Sequence, residues 1–179
     1  MEYLNNDSYQ KNCLNNANLE FVKALELNYK NSDFNLGGFS AIDYIEKTDQ
    51  LFLLSDSPKG YVVRLNSFSS LINSSDTKID IEKDDILKFK YNIWQRFFNK
   101  GDGEGLRIKG NYFFVLNEKK YWSWRSPFAN SNQPPTFQKY YLKDGKRIKN
   151  INLPNSFMKD AFGNESLALS KNGLFLVAN

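Results

Sequence analysis

Gly103-Glu104-Gly105-Leu106, leading through a tight turn into Tyr112-Phe113-Phe114-Val115-Leu116-Asn117-Glu118, is the stretch from which the fold is read. A short strand opening on glycines is followed by a more apolar strand that ends in a carboxylate. The same phrase stands upstream, where Gly38-Phe39-Ser40-Ala41 runs on to Leu51-Phe52-Leu53-Leu54-Ser55-Asp56. It stands again downstream, where Asn164-Glu165-Ser166-Leu167 runs on to Leu174-Phe175-Leu176-Val177-Ala178-Asn179. Asp56 and Glu118 lie 62 positions apart, as do Asn117 and Asn179. In the third copy the matching carboxylate falls one residue past Asn179. A supersecondary unit recurring at a fixed period is the sequence mark of a solenoid or a propeller.

Working outward, strand signals cover Phe39–Tyr44, Gln50–Ser55 and Gly60–Asn66 in the first unit, with turns at 46–49 and 57–60. Ser67–Asn73 reads as one or two helical turns, and Thr77–Tyr91 as one or two outer strands broken at Asp84-Asp85. The second unit supplies Glu104–Ile108, Tyr112–Asn117, Phe137–Leu142 and Arg147–Leu153. Its hairpin at Lys143-Asp144-Gly145-Lys146 carries the Asp-Gly pair favoured in type I′ turns. A long excursion with Trp122, Trp124 and Pro134-Pro135 interrupts it, and the third unit has two strands. The expected fold is all-β: an antiparallel, propeller-like array of about two and a half four-stranded blades, an incomplete propeller. A closure-type strand within Leu19–Tyr29 precedes it. Residues 1–18 read as a disordered or weakly helical lead and 19–179 as the partial propeller domain. A small complete β domain is the rival reading.

Composition bounds the chemistry. Of 179 residues, 41% are apolar and 16% aromatic, too many for a disordered chain. The net charge of +4 is dispersed, which points to neither a nucleic-acid partner nor a membrane surface. Cys13 is the single cysteine and histidine is absent, so an internal disulfide, a Ser-His-Asp triad and a histidine zinc site are all excluded. No run approaches the apolar length of a membrane-spanning helix. Residues 1–18 lack the apolar core of a secretory signal, so the literal reading is cytoplasmic, or periplasmic or secreted if the N-terminus is incomplete.

The ordered set GGFSAIDYIEKTDQLFLLSD, GDGEGLRI with YFFVLNE, and GNESLALSKNGLFLVAN resembles the phytase-like family of bacterial β-propellers with esterase-like activity of phytase. The resemblance runs over residues 19–179 and implies a phosphatase- or phytase-like hydrolase, within a chain longer than this one. It also implies a small phosphorylated substrate, with the missing blades supplied by a longer chain or by self-association. On this reading Asp56, Glu104, Glu118 and Glu165 are the catalytic set and the ligands of a hard cation, Ca²⁺. Carboxylates converging at a channel mouth repel each other, and a cation taking oxygen donors relieves that repulsion. Glu104 and Glu165 occupy equivalent places in their units, where the first unit has Phe39. Lys59, Arg64, Lys119 and Arg125 lie near these carboxylates in sequence as phosphate-gripping cations, and Asn117 and Asn164 as extra oxygen donors.

Each feature also has a plainer reading. Acidic residues at strand ends serve as solvated or turn-capping groups, and Asp43 reads as a strand or turn residue. Gly37-Gly38 and the glycines of 101–105 open no helix, so they read as turn glycines rather than a phosphate cradle. Trp122, Trp124 and Phe128 beside Arg125 read as a loop packed over a blade. Lys139, Lys143, Lys146, Arg147 and Lys149 read as the defence of a solvated edge. A non-catalytic propeller module that binds a ligand or a protein is the alternative function.

Overall fold

The computed structural model describes residues 21–30, 36–57, 60–91, 103–117, 135–153, 166–170 and 175–178. Blade 1 is a four-stranded antiparallel sheet in the order β2 (Phe39–Ile45), β3 (Gln50–Ser55), β4 (Tyr61–Asn66), β6 (Ile86–Lys88). Blade 2 repeats the order with β7 (Gly103–Lys109), β8 (Tyr112–Asn117), β9 (Thr136–Tyr141) and β10 (Arg147–Asn152). β11 (Ser166–Leu169) and β12 (Phe175–Ala178) are the first two strands of a third blade. The first strands β2, β7 and β11 run side by side, as inner strands do around a propeller channel.

Burial explains why the second strands read as continuous apolar runs rather than as alternating ones. β3 lies between two packed layers, so both of its faces need apolar side chains. Phe52 and Leu54 join Val62, Leu106, Ile108, Phe113, Val115, Phe89 and Tyr140 in the core between blades 1 and 2. Leu51 faces the other way, with Tyr61, Val63, Leu65, Ile81 and Ile86. That second core is capped by α1 (Phe68–Asn73) and by β1 (Glu26–Asn28), paired in parallel with β5 (Lys78–Asp80). Leu27, Ile79, Phe68 and Leu71 are the capping side chains. Lys23 ties the lead to the end of α1, donating to the carbonyls of Leu71 at 3.0 Å and Ser74 at 2.7 Å. A third cluster, Phe114, Leu116 and Phe137 with Leu167, joins blade 2 to β11.

The joint between blades 1 and 2 is fastened at both radii. At the inner strands the Ile108 amide donates to Asp43 Oδ2 at 2.6 Å, and Arg107 Nη1 donates to the Ile42 carbonyl at 3.4 Å. Ser40 Oγ also donates to the Gly103 carbonyl. At the outer strands the Lys90 amide donates to the Gly145 carbonyl at 2.9 Å. Gly145 has φ +68°, and a Cβ there would lie 2.3 Å from the Lys88 carbonyl oxygen. Only glycine meets both demands at once.

The turn at 143–146 departs from the sequence expectation. A type I′ turn needs positive φ at both central residues, and in this turn Gly145 has it while Asp144 does not. The loop closes instead through the Gly145 amide on the Tyr141 carbonyl at 2.9 Å, with Asp144 Oδ1 accepting from the Lys146 amide at 3.0 Å. The leading strand is also shorter than the Leu19–Tyr29 stretch that contains it. The expected lead over residues 1–18 lies outside the described residues.

Candidate functional site

Because each blade is antiparallel, the N-terminal ends of β2 and β7 share one end of the fold with the C-terminal ends of β3 and β8. Phe39 pairs with Ser55 there, and Gly103 with Asn117. Both sheets then slip by one residue, so that Ala41 faces Leu54 and Gly105 faces Leu116. The extra residue of this bulge is Ser40 in blade 1 and Glu104 in blade 2. Glu104 therefore corresponds to Ser40, not to Phe39 as the sequence spacing suggested. The bulge also turns the two glycines of blade 2 to opposite sides. A Cβ on Gly103 would meet Leu54 Cδ2 of blade 1 at 3.0 Å, whereas one on Gly105 would meet Leu167 Cβ of β11 at 2.7 Å.

Asp56 follows directly on β3 at this same end and is exposed. Its amide donates to the Gly38 carbonyl at 2.8 Å, and its carboxylate lies over Gly38, where a Cβ would come within 2.2 Å of Oδ1. Gly38 has φ +60°. The Gly37-Gly38 turn is locked by Tyr61, whose hydroxyl accepts from the Gly37 amide at 2.9 Å and donates to its carbonyl at 2.8 Å. Ser55 Oγ adds a donation to the same carbonyl at 3.1 Å. The two glycines are thus turn residues, as their sequence context indicated. Asn117 occupies the place of Ser55 one blade on; it is buried, and its Nδ2 has no hydrogen-bond partner among the described residues.

Of the expected site residues, Asp56 and half-buried Glu104 are brought to one end of the fold. Arg64 is not. It pairs with Phe52 in the middle of β4, about 10 Å along the strand from Tyr61, and its Nη2 donates to the Asp84 carbonyl at 3.3 Å. Glu118, Glu165, Lys59, Lys119, Arg125 and Asn164 lie outside the described residues, as does the Trp122, Trp124 and Phe128 loop. The donors in place, two carboxylates and a buried amide, are oxygen ligands of the kind a hard cation takes. They stop short of a full set: among the described residues no three acidic or cysteine side chains gather closely enough to hold a metal.

Asp43 is a strand residue, one of the two readings its sequence context offers, and its carboxylate also serves the joint between the blades. Burial raises its carboxyl above the ordinary 3.8, against the opposing pull of the Ile108 amide and of Arg107. The signal was present in a lone carboxylate between Ile42 and Tyr44 on an inner strand. Sequence reasoning did miss the hydroxyl pair Ser55 and Tyr61, which fixes the glycine turn beneath Asp56.

No curated protein matches the chain significantly. A family model does, described as phytase-like, esterase-like activity of phytase, and it matches residues 35–179, the greater part of the sequence. All-β blades with three inner strands side by side are the architecture that this match calls for. The chain belongs to the phytase-like family of β-propellers.

Proposed function

We propose that this chain is part of a phytase-like propeller hydrolase that cleaves a small phosphorylated substrate with the help of a bound Ca²⁺, the remaining blades being supplied from outside the sequence given. What supports the reading most is the placement of Asp56 and Glu104 at one end of the fold, beside the strand ends from which Glu118 and Glu165 follow or lead in sequence. When bound, the cation would neutralise phosphate oxygens and supply an activated water. Asp56 and Glu104 would hold it, with Glu118 and Glu165 completing the set. Asn117 would offer its Nδ2, which has no partner among the described residues, to a phosphate oxygen. Lys59, Lys119 and Arg125 remain the proposed cations for the substrate. Arg64 is withdrawn from that role, because its guanidinium is committed to the outer part of blade 1.

The test is phosphate release from a panel of phosphomonoesters and diesters by the ring-complete protein, with and without calcium, in wild type and in Glu104→Gln with Glu165→Gln. Loss of turnover by about 10²-fold or more, with strand content unchanged, supports the assignment. Turnover indifferent to both changes removes these residues from the mechanism.

A second reading is a non-catalytic binding module. It is supported by the propeller architecture itself, which does not fix function. No phosphate release by wild type in calcium, together with ligand-dependent thermal stabilisation, would select it.

A further inference from the structure

Blades 1 and 2 share strand order, register and bulge, so a feature built in one and not in the other is not demanded by blade geometry. Tyr61 is such a feature, at the end of the fold that carries Asp56. By strand register Ser55 corresponds to Asn117, and Tyr61, the first residue of β4, corresponds to Thr136 of β9. Tyr61 reaches past β3 to Gly37, whereas the short Thr136 accepts from Gln138 Nε2 at 3.2 Å within its own strand.

The Tyr61 hydroxyl accepts from the Gly37 amide at 2.9 Å and donates to the Gly37 carbonyl at 2.8 Å, so it grips one residue from both sides. Its ring is 1% exposed, held in the second core and set edge-on to Phe39 at 6.4 Å. The grip therefore has a close-packed core behind it rather than a solvated side chain. Ser55 Oγ donates to the same carbonyl at 3.1 Å and accepts from the Ser57 amide at 3.1 Å, which ties together the two residues that flank Asp56. Asp56 donates its own amide to the Gly38 carbonyl at 2.8 Å. Its carboxylate rests over Gly38, in a seat that a Cβ there would fill.

We propose that Tyr61 is the positioning residue for Asp56. Through the Gly37-Gly38 turn it holds that carboxylate ready for a hard cation, a hold that blade 2, with Thr136 in the same place, does not build. The inference rests on the cation site proposed for this end of the fold, and adds to it the residue that prepares a ligand. A carboxylate whose backbone is fixed before the ion arrives gives up less freedom on binding, so affinity depends on the groups behind it as well as on its own oxygens. Tyr61 touches neither ion nor substrate on this account; it acts through the turn.

Calorimetric titration of calcium into the ring-complete protein tests it, with Tyr61→Phe, Asp56→Asn and Leu65→Ala as variants. Tyr61→Phe keeps the ring and removes the hydroxyl, while Leu65→Ala thins the same core without touching the turn. Tyr61→Phe should weaken calcium binding by about tenfold or more and speed deuterium exchange at the Gly37 and Asp56 amides of the calcium-free protein. Leu65→Ala should lower the unfolding midpoint and do neither. Affinity unchanged in Tyr61→Phe but lowered in Asp56→Asn would overturn the positioning role and keep the cation site. Equal weakening in Leu65→Ala would reduce the role of Tyr61 to general packing and overturn it as well. Calcium binding that Asp56→Asn leaves untouched, or no binding by wild type, would remove the cation site itself and the positioning role with it.

Discussion

Asp43 sits in the joint between the first two blades, with the Ile108 amide 2.6 Å from Oδ2 and Arg107 Nη1 3.7 Å from Oδ1. Burial outweighs both partners, and the carboxyl is raised above 3.8. A raised acid favours its neutral form in the folded state. Its contribution to stability is therefore complete below 3.8 and is lost as pH rises through the folded value. Asp43→Asn keeps an acceptor for Ile108 and removes the titration. Thermal midpoints should accordingly diverge as pH is raised past 3.8, with the wild type losing ground to the variant; parallel profiles would mean that the carboxyl does not titrate in the joint. Gly145 offers a second test at this scale, with Gly110 as its control. Both have positive φ, but a Cβ at Gly145 meets the Lys88 carbonyl at 2.3 Å while one at Gly110 meets nothing. Gly110→Ala should cost about 1 kcal/mol of backbone strain, and Gly145→Ala about 2 kcal/mol or more. Equal losses in denaturant unfolding would show that conformation alone decides.

Elements are placed by the bulge at the start of each blade. Gly103 and Gly105 are two apart and would share a face in a regular strand; the extra residue Glu104 sends them to different neighbours. A Cβ on Gly103 would press on the mobile end of Leu54, whereas one on Gly105 would strike Leu167 at its own Cβ and approach its backbone amide at 3.2 Å. Gly105→Ala should therefore destabilise more than Gly103→Ala, by about 1 kcal/mol or more, and should loosen β11 first. Protease cleavage after 153 that is no faster in Gly105→Ala than in wild type would contradict this. The strand positions were legible because Leu, Phe and Val crowd the second strands of each unit. The bulge was not, because a Gly-Glu-Gly run suits a turn, a bulge or an open strand equally until the partner strand sets the register. The Asp-Gly pair misled for the same reason: its dipeptide fits type I′, but the crossing of Lys88 beneath Gly145 selects another loop.

For the whole molecule, the period of the repeat carried the architecture, since three inner strands at like spacing have few other ways to bury both faces of their sheets. The site was only partly legible. The strand register brings Asp56 and Glu104 to one end, whereas Arg64, near Asp56 along the chain, lies out along β4 in space. If four carboxylates gather a cation at that end, millimolar calcium should raise the unfolding midpoint of the wild type. The rise should shrink by more than half in Asp56→Asn with Glu104→Gln. A midpoint unmoved by calcium would leave the oxygen donors without an ion.

The double fastening of blades 1 and 2, by Ile108 on Asp43 at the inner strands and by Lys90 on Gly145 at the outer ones, bears on how the molecule comes apart. Two sheets pinned at both ends of their shared face cannot hinge open, so their local openings should merge into a single event. In deuterium, the amides of Ile108 and Lys90 should then become labelled at one common rate despite standing on opposite margins of the sheets. β11, which meets blade 2 through Leu167 and the cluster of Phe114, Leu116 and Phe137, should take up label earlier, as a separate and less cooperative unit.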